Sequence, residues 1–232
     1  VAAKALSSAL LVGAIAGESA REAISDLVKV SAVRALSDEL ANATYAAPGG
    51  EAGEVALPSD ILEAILEGSA LEGIDVSLVL FGSNIHAAAE SNRSSGSAST
   101  EATQIFSVAL AAASADGSPS TSLRVSGLAT PILILTPYTP EGLEGASGET
   151  DGGACSPDDD LACSARGTCG AGGTCTCDSP WLGAGCSERA ECHFWDEEAS
   201  AWSTDGCQSV FLPGYLAQGA LACLCTHLTD FG

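Results

Sequence analysis

The chain has no methionine and few basic or aromatic residues. Lys and Arg total 8 against 30 Asp and Glu among 232 residues, which gives a formal net charge of −22. A chain this acidic repels phosphate backbones and anionic headgroups, so we expect neither nucleic acid nor an anionic lipid surface as a partner. The absence of methionine, and with it of an initiator residue, predicts a piece of a longer protein.

Long hydrophobic runs are also lacking. The apolar stretch from Val1 to Ala16 is interrupted by Lys4 and by serines, so it is too short to span a bilayer and does not have the form of a signal peptide. We therefore expect any membrane segment to lie outside this chain. The hydrophobic content of 46% is nevertheless sufficient for a folded core.

The sequence lacks the residue groups of a turnover enzyme. It contains no phosphate-binding loop and no metal-ligand constellation, and we expect no cofactor and no metal site. His86 follows a predicted strand without a second ligand or a nucleophile beside it, which predicts a surface or loop histidine. Three consecutive acids, Asp158 to Asp160, are typical of a solvated loop and do not predict a specific calcium site.

The ten cysteines are even in number and all follow position 154. This usage predicts disulfides and an oxidising, extracellular compartment. Zinc is the competing interpretation, but the Cys-x-Cys pairs lack the two-residue gap that is typical of zinc knuckles. Sequons at Asn42 and Asn92 are candidate N-glycosylation sites that fit the same secretory context.

The first third of the chain predicts helices. Ser19 and Glu22 form a capping box, and the helix that follows should end before Pro48. Apolar residues lie close to one face of this helix at Ile24, Leu27, Val28, Val33, Leu36 and Leu40. A second helix is predicted from Pro58 to Gly68. We interpret both as packing scaffold.

From residue 73 the hydrophobic period changes from helical to two, which is typical of strands. Apolar residues alternate at Ile74, Val76, Leu78 and Leu80. This alternation predicts a half-buried strand, and a second strand is predicted at 104–111. A third β-rich segment is predicted at 123–125 and then 128–135, with Pro131 at a strand start or at a bulge. The serine-rich stretch at 91–100 predicts a loop.

A linker-like stretch, 139–154, precedes six cysteines: Cys155, Cys163, Cys169, Cys175, Cys177 and Cys186. Arithmetic alone allows fifteen pairings of six cysteines. Their spacing and the tail at 180–186 resemble an EGF-like module. That resemblance implies pairing of the first with the third cysteine, the second with the fourth and the fifth with the sixth. We expect the module to be inserted into a surface connection between predicted strands, and an extracellular protein is its candidate partner.

The last forty-one residues hold the reactive triplet His227, Leu228 and Thr229. The Thr229 hydroxyl can reach the Leu228 carbonyl through a five-membered ring, and His227 can remove its proton. Water would then hydrolyse the resulting ester and cut the chain between Leu228 and Thr229. Such catalysis acts in cis and only once, and it needs a fold that holds the peptide in a near-attack geometry.

The landmarks around this triplet occur in a specific order. They are Cys192, Phe194-Trp195, Trp202-Ser203, Gly206-Cys207, Cys223-Leu224-Cys225, His227-Leu228-Thr229 and Phe231. This order resembles the proteolysis site, or GPS motif, of the GAIN domain, which is found in adhesion-type G-protein-coupled receptors and polycystin-1-like proteins. The resemblance implies cleavage after Leu228 and disulfides joining Cys192 to Cys223 and Cys207 to Cys225. The residues from 229 to 232 are more similar to the polycystin-type members.

We therefore predict an α+β, mainly β fold. It has a small helical subdomain, a β-sandwich with a disulfide-braced C-terminal hairpin, and an inserted EGF-like module. The predicted boundaries are 1–72 for the helical part, 73–138 for the first part of the sandwich, 139–154 for the linker, 155–187 for the EGF-like module and 188–232 for the cleavage motif.

The predicted function is that of an extracellular self-cleaving domain of a membrane receptor or polycystin-like channel protein. The C-terminal fragment that such a cut creates would remain a partner of the rest of the chain. The alternative is an uncleaved, disulfide-rich adhesion module. Trp195 and Trp202 are predicted to be core residues, and His193 is predicted to be structural.

Overall fold

The computed structural model describes residues 2–50, 53–66, 73–83, 85–86, 104–113, 120–137, 162–170, 173, 175–178, 181–182, 185–186, 188–189, 191–210, 213–216 and 220–231. The helices are α1 (Ala2–Leu10), α2 (Ile61–Leu66) and α3 (Pro213–Leu216). The strands are β1 (Arg21–Ile24), β2 (Val28–Ala35), β3 (Thr44–Ala46), β4 (Glu54–Ala56), β5 (Ile74–Phe81), β6 (Ile105–Ala112), β7 (Thr121–Leu123), β8 (Ile132–Pro137), β9 (Gly167–Cys169), β10 (Cys175–Cys177), β11 (Trp181–Leu182), β12 (Glu188–Arg189), β13 (Phe194–Asp196), β14 (Ala201–Ser203), β15 (Cys207–Val210), β16 (Ala220–Cys225) and β17 (Asp230–Phe231). The predicted α+β, mainly β class is confirmed.

Two antiparallel sheets form a sandwich. The first sheet has the strand order β1-β2-β5-β6-β17-β13-β14, with β7 paired to β6, and the second has the order β15-β16-β8-β4-β3. Their facing side chains share one core, in which Phe106 and Phe231 of the first sheet meet Val55 and Ile134 of the second. Burial of this apolar surface is the main stabilising contribution to the sandwich.

The strands predicted by period two are present. β5 and β6 pair over eight residues, and Pro131 immediately precedes β8, where a missing backbone donor costs no ladder hydrogen bond. The prediction that β5 is half-buried is wrong. Its second face is also buried at Asp75 and Val79, which line one cavity together with Ser7 and Leu11 from the α1 end of the chain.

The helix predicted to begin near Ser19 is wrong, and two strands stand in its place. β2 pairs with β5 along its whole length, from Val28 opposite Phe81 to Ala35 opposite Ile74. Ile24 and Leu27, which would lie on the apolar face of the helix, are 58% and 76% exposed. Branched valines favour an extended backbone, and eight ladder pairs with a buried strand outweigh the helical periodicity.

Arg21, which lies inside the predicted capping box, contacts the end of α1 instead. Its guanidinium donates to the main-chain oxygens of Leu10 at 3.1 Å and Val12 at 3.0 Å, at the C-terminal end of α1. A cation at this end satisfies orphan carbonyls and complements the helix dipole. Arg21 therefore contacts the end of one helix and does not lie in the first turn of another.

The second predicted helix is present as α2, while its expected end at Gly68 lies outside the described residues. The predicted helical character of 1–72 is wrong for most of its described part, where β1 to β4 lie. The serine-rich stretch at 91–100 and the linker at 139–154 also lie outside the described residues. Within the described ranges, no helix is long and apolar enough to cross a membrane.

The cysteine-rich segment lies in the chain between β8 of the second sheet and β13 of the first. It contains the two-stranded pairs β9–β10 and β11–β12 and the disulfides Cys163–Cys175 and Cys177–Cys186. Cys169 is also disulfide-bonded. Cys155, its partner in the pairing that the resemblance implies, lies outside the described residues.

Candidate cleavage site

The reactive triplet lies where the chain crosses from one sheet to the other. β16 ends at Cys225 in the second sheet, and β17 begins at Asp230 between β6 and β13 of the first. We call the four residues between these strands, Thr226 to Thr229, the crossover segment. Because its two ends belong to different sheets, their separation is set by the packing of the whole sandwich.

Two disulfides brace the crossover segment. Cys207 bonds to Cys225, its direct partner across the β15–β16 ladder. Cys192 bonds to Cys223, which joins the chain just before β13 to β16 in the other sheet. These are the pairs that the GPS resemblance implies. Together they restrain the residues before the crossover segment and the strand beside β17.

Main-chain hydrogen bonds hold both sides of the Leu228–Thr229 peptide. The N–H of Leu228 donates to the carbonyl oxygen of Val125 at 3.2 Å. The carbonyl oxygen of Thr229 accepts from the N–H of Val108 at 3.2 Å. The loop between β7 and β8 contributes again through Leu128, whose N–H donates to the carbonyl oxygen of Thr226 at 3.1 Å. The peptide is therefore fixed by a loop on one side and by β6 on the other.

The Thr229 hydroxyl is held by β13. Its Oγ1 donates to the main-chain oxygen of Trp195 at 3.2 Å, and Thr229 is half-buried. The structure thus brings His227 and Thr229 into one crossover segment but directs the hydroxyl proton to a carbonyl and not to the imidazole. For His227 to take that proton, the Thr229 side chain has to leave Trp195, and catalytic contacts commonly tighten only as the reaction begins.

His227 lies among aromatic rings. Phe194 meets the imidazole edge to face at a centroid distance of 4.1 Å, and the Phe231 ring lies 6.1 Å away. Burial lowers the pKa of His227 below its ordinary value, while the carboxylate of Asp205 acts in the opposite direction and raises it. A lowered pKa keeps the ring neutral near pH 7, which is the form that can accept a proton.

Gly206 allows the chain to approach His227 closely. It has φ +76°, a left-handed conformation that glycine adopts without strain. A Cβ at this position would lie 2.8 Å from Thr226 Oγ1 and 3.3 Å from His227 Nδ1. The main-chain oxygen of Gly206 also accepts from the N–H of Thr226 at 2.9 Å. A larger residue would crowd Thr226 and His227 here, which is the steric reason for a glycine at this position of the Gly-Cys landmark.

The prediction for His86 is wrong in part. The residue lies in the loop after β5, as expected, but its side chain is only 16% exposed. Its ring stacks on Trp195 at 4.0 Å, and its Nε2 lies 3.0 Å from Asp230 Oδ2. Local sequence carries no signal for this contact, because 144 positions separate the two residues.

The other predicted side chains have ordinary surroundings. Trp195 is buried at 7% exposure, whereas Trp202 is only partly buried and contacts the Trp195 ring edge to face. His193 is partly exposed and lies 4.0 Å from Glu191. Asn42 is exposed in a turn before β3, and Asn92 lies outside the described residues.

The sulfurs of Cys163, Cys175 and Cys186 lie within 4.8 Å of one another. A compact group of three cysteines can hold a metal when the sulfurs are thiolates. Each of these three cysteines is instead part of a disulfide. The cluster is therefore two neighbouring cross-links, and four disulfides in the described part of the chain indicate an extracellular domain.

The part of the chain that contains the crossover segment also matches a known family. Residues 179–232 match the family model described as GPS, GAIN subdomain B. This match supports a GAIN-type domain with a GPS segment at its C-terminal end, and it begins inside the segment predicted as the EGF-like module. No curated protein matches the chain.

Among solved structures, the chain is similar to the full extracellular region of zebrafish Gpr126/Adgrg6, at 13% identity and a TM-score of 0.44. The alignment covers 91% of this chain and 23% of that one. The chain thus spans about a quarter of the length of that extracellular region.

Proposed function

We propose that this domain cuts its own chain between Leu228 and Thr229. The observation that carries the proposal is the restraint on this peptide: Leu228 N–H and Thr229 C=O are each hydrogen-bonded to a different segment, Val125 and Val108. The crossover segment is also braced by a disulfide at Cys225. A peptide held on both sides can be kept near the attack geometry, which is what the uphill acyl shift requires.

The reaction follows from the residues of the site. Thr229 Oγ attacks the Leu228 carbonyl carbon while His227 accepts the hydroxyl proton. The C–N bond then breaks, and the imidazolium returns the proton to the departing Thr229 nitrogen, which leaves Leu228 esterified to Thr229. Water hydrolyses the ester, which yields the Leu228 carboxylate and frees the Thr229 hydroxyl. General-base help from His227 is worth roughly 10² to 10⁴ in rate.

The two fragments stay associated after the cut. β17 lies between β6 and β13, where Phe231 pairs with Phe106 on one side and with Phe194 on the other. Its ring is fully buried in the shared core at 0% exposure. Separating the fragments would expose this ring and break the ladder hydrogen bonds, so release requires force or exchange.

The host that fits this chemistry is a membrane protein exposed outside the cell, either a receptor or a polycystin-like channel protein. The cysteine-rich segment supports an EGF-like module, because Cys163–Cys175 and Cys177–Cys186 join the second to the fourth and the fifth to the sixth of its cysteines. That module is a candidate surface for an extracellular protein ligand. Exposed Asn42 is a candidate glycan site.

One observation favours the alternative of an uncut adhesion module. The Thr229 hydroxyl donates to Trp195 and not to His227, an arrangement in which the nucleophile is at rest. In an uncut module both residues would be ordinary side chains of the crossover segment, and substituting them would leave the chain length unchanged.

An intact mass decides between the two functions. The chain, with an epitope tag after Gly232, would be secreted from cells with an oxidising pathway, deglycosylated, reduced and denatured. We expect a mass that ends at Leu228 and a separate fragment that begins at Thr229. The Thr229→Ala chain should stay full length, and Thr229→Ser should still be cut. A full-length mass for the unsubstituted chain would establish the uncut module.

A further inference from the structure

His86 contacts two residues next to Thr229. One is Asp230, which follows it in the chain, and the other is Trp195, which accepts its hydroxyl hydrogen bond. The His86 Nε2 lies 3.0 Å from the carboxylate of Asp230. Because an ionised carboxylate only accepts, Nε2 carries the proton and donates it. On its other side the imidazole is stacked almost parallel on the Trp195 ring, at a centroid distance of 4.0 Å and an angle of 10°.

Trp195 is the residue whose main-chain oxygen holds the Thr229 hydroxyl. The ring beneath His86 and the acceptor of the nucleophile therefore belong to one residue of β13. Trp202 from β14 closes the group, with its ring edge-on to His86 at 5.6 Å and to Trp195 at 5.5 Å. His86 is thus clamped by two tryptophans, and its donor is aimed at β17.

The His86–Asp230 contact joins two segments that are far apart in the sequence and are not adjacent in the sheet. His86 follows β5, whereas Asp230 lies in β17, with β6 between these two strands in the sheet. β17 is only two residues long, so its ladder alone restrains it weakly. A side-chain hydrogen bond to Asp230 adds a restraint at the residue next to the reacting hydroxyl.

We propose that His86 is a positioning residue that fixes the main chain around Thr229, through Asp230 of β17 on one side and through Trp195 of β13 on the other. This role rests on the proposed self-cleavage. His86 does not touch the reacting atoms. It acts by keeping β17 and β13 in register, so that the Thr229 main chain stays fixed while the hydroxyl turns from Trp195 to attack.

The test separates the hydrogen bond from the ring stack. His86→Phe keeps an aromatic ring against Trp195 and removes the donor. Asp230→Ala removes the acceptor, and Asp230→Asn restores one. Cleavage half-times would be followed by pulse-chase labelling of the tagged, secreted chain. Exchange rates of the Asp230 and Phe231 amides would be followed by NMR, which reports the restraint on β17 whether or not the chain is cut.

We expect His86→Phe and Asp230→Ala each to slow the cut about 3- to 10-fold and to speed the two amides by a similar factor, as loss of one hydrogen bond predicts. The double variant should be no slower than either single variant, because both remove the same bond. Asp230→Asn should cut at nearly the original rate. His193→Phe, which replaces the histidine just before β13 that lies 4.0 Å from Glu191, is the matched control.

Several outcomes would overturn the role. One is original cleavage and exchange rates in His86→Phe, and another is a double variant whose slowing is the product of the two single effects. If His86→Phe is not secreted, equal rates for Asp230→Ala and Asp230→Asn would overturn it as well. If the unsubstituted chain is not cut at all, self-cleavage fails, and amide exchange alone decides whether His86 restrains β17.

Discussion

Two regions of the sandwich are held together in different ways. β2, β5 and β6 are eight residues long and pair over their full length. β13 and β17, on the other side of β6, have three and two residues. Within the described residues, every disulfide lies from Cys163 onward, outside the long strands. We call these regions the long-strand region (β2, β5 and β6) and the cross-linked region (β13 to β17 with the crossover segment).

The two regions contribute different things: the long-strand region contributes stability, and the cross-linked region contains the reactive residues. Long ladders and buried aliphatic side chains make the first region stable without covalent help. Short strands restrain a peptide weakly by themselves, so the second region relies on disulfides and on hydrogen bonds from distant loops. The reactive residues belong to the region that is restrained by cross-links, where local geometry can depart from that of an ideal strand.

The largest expected effect is in the long-strand region. Leu110 of β6 is 2% exposed in the shared core. Leu110→Ala should lower the free energy of unfolding by about 2 to 5 kcal/mol, because it leaves a cavity in a closely packed site. Urea unfolding of the purified chain measures this loss. Ala109→Ser, at an exposed position of the same strand, should change it by less than about 0.5 kcal/mol.

Removing the disulfide that links the two sheets should have the next largest effect. Cys192 and Cys223 are 31 positions apart, so the bond closes a long loop. Replacing both with alanine should cost about 2 to 4 kcal/mol of unfolding free energy and reduce the cut fraction as well.

The control for this change is Cys177→Ala with Cys186→Ala. That pair lies in the cysteine-rich segment, outside the sandwich. The double replacement should leave sandwich unfolding and cleavage unchanged. Equal loss of cleavage in the two double variants would show that the sheet-linking bond has no special part in restraining the site.

A smaller steric effect is expected at Gly206. A methyl group there would lie 2.8 Å from Thr226 Oγ1, and the alanine would have to adopt φ +76°. Gly206→Ala should cost about 1 to 3 kcal/mol of stability and displace the His227 ring, so the cut fraction on a denaturing gel should fall. Gly214→Ala is the matched control, because a Cβ there has open space. An unchanged cut fraction in Gly206→Ala would mean that His227 tolerates displacement.

The smallest effect is electrostatic. NMR titration of the His227 ring in the uncut Thr229→Ala chain should give a pKa below the ordinary value for histidine, because burial lowers it. Asp205→Asn removes the charge that raises this pKa, so the midpoint should move further down in pH and the neutral base should persist into more acid conditions. Asp205 is exposed, so salt should weaken the effect. Asp26→Asn should leave the midpoint unchanged, and an upward shift in Asp205→Asn would contradict this account.

The sequence predicts structure best where the pattern and the packing agree. The alternation from Ile74 to Leu80 predicts β5, because the face that meets the shared core needs that period. The pattern is misleading at 21–35, where apolar residues also fit a helical spacing. The failure has a physical cause, since pairing with β5 contributes more than the local preference of the segment.

At the candidate site, covalent geometry makes part of the chemistry readable from the sequence. Thr229 follows Leu228 directly, so its hydroxyl is within one ring closure of the Leu228 carbonyl in any fold, and His227 is two residues away. The Cys-x-Cys pair and the Gly-Cys landmark lie near the triplet in the sequence, so the three can be recognised together as one motif. These relations need no knowledge of the sandwich.

How that peptide is held depends on contacts between distant segments of the folded chain. Val108, Val125, Trp195 and His86 reach the crossover segment or β17 from four separate segments. Which of them meet depends on how the two sheets pack and on where β17 enters the first sheet. Hydrogen bonds between residues more than a hundred positions apart leave no period or spacing in the sequence, because they follow from burial of the whole core.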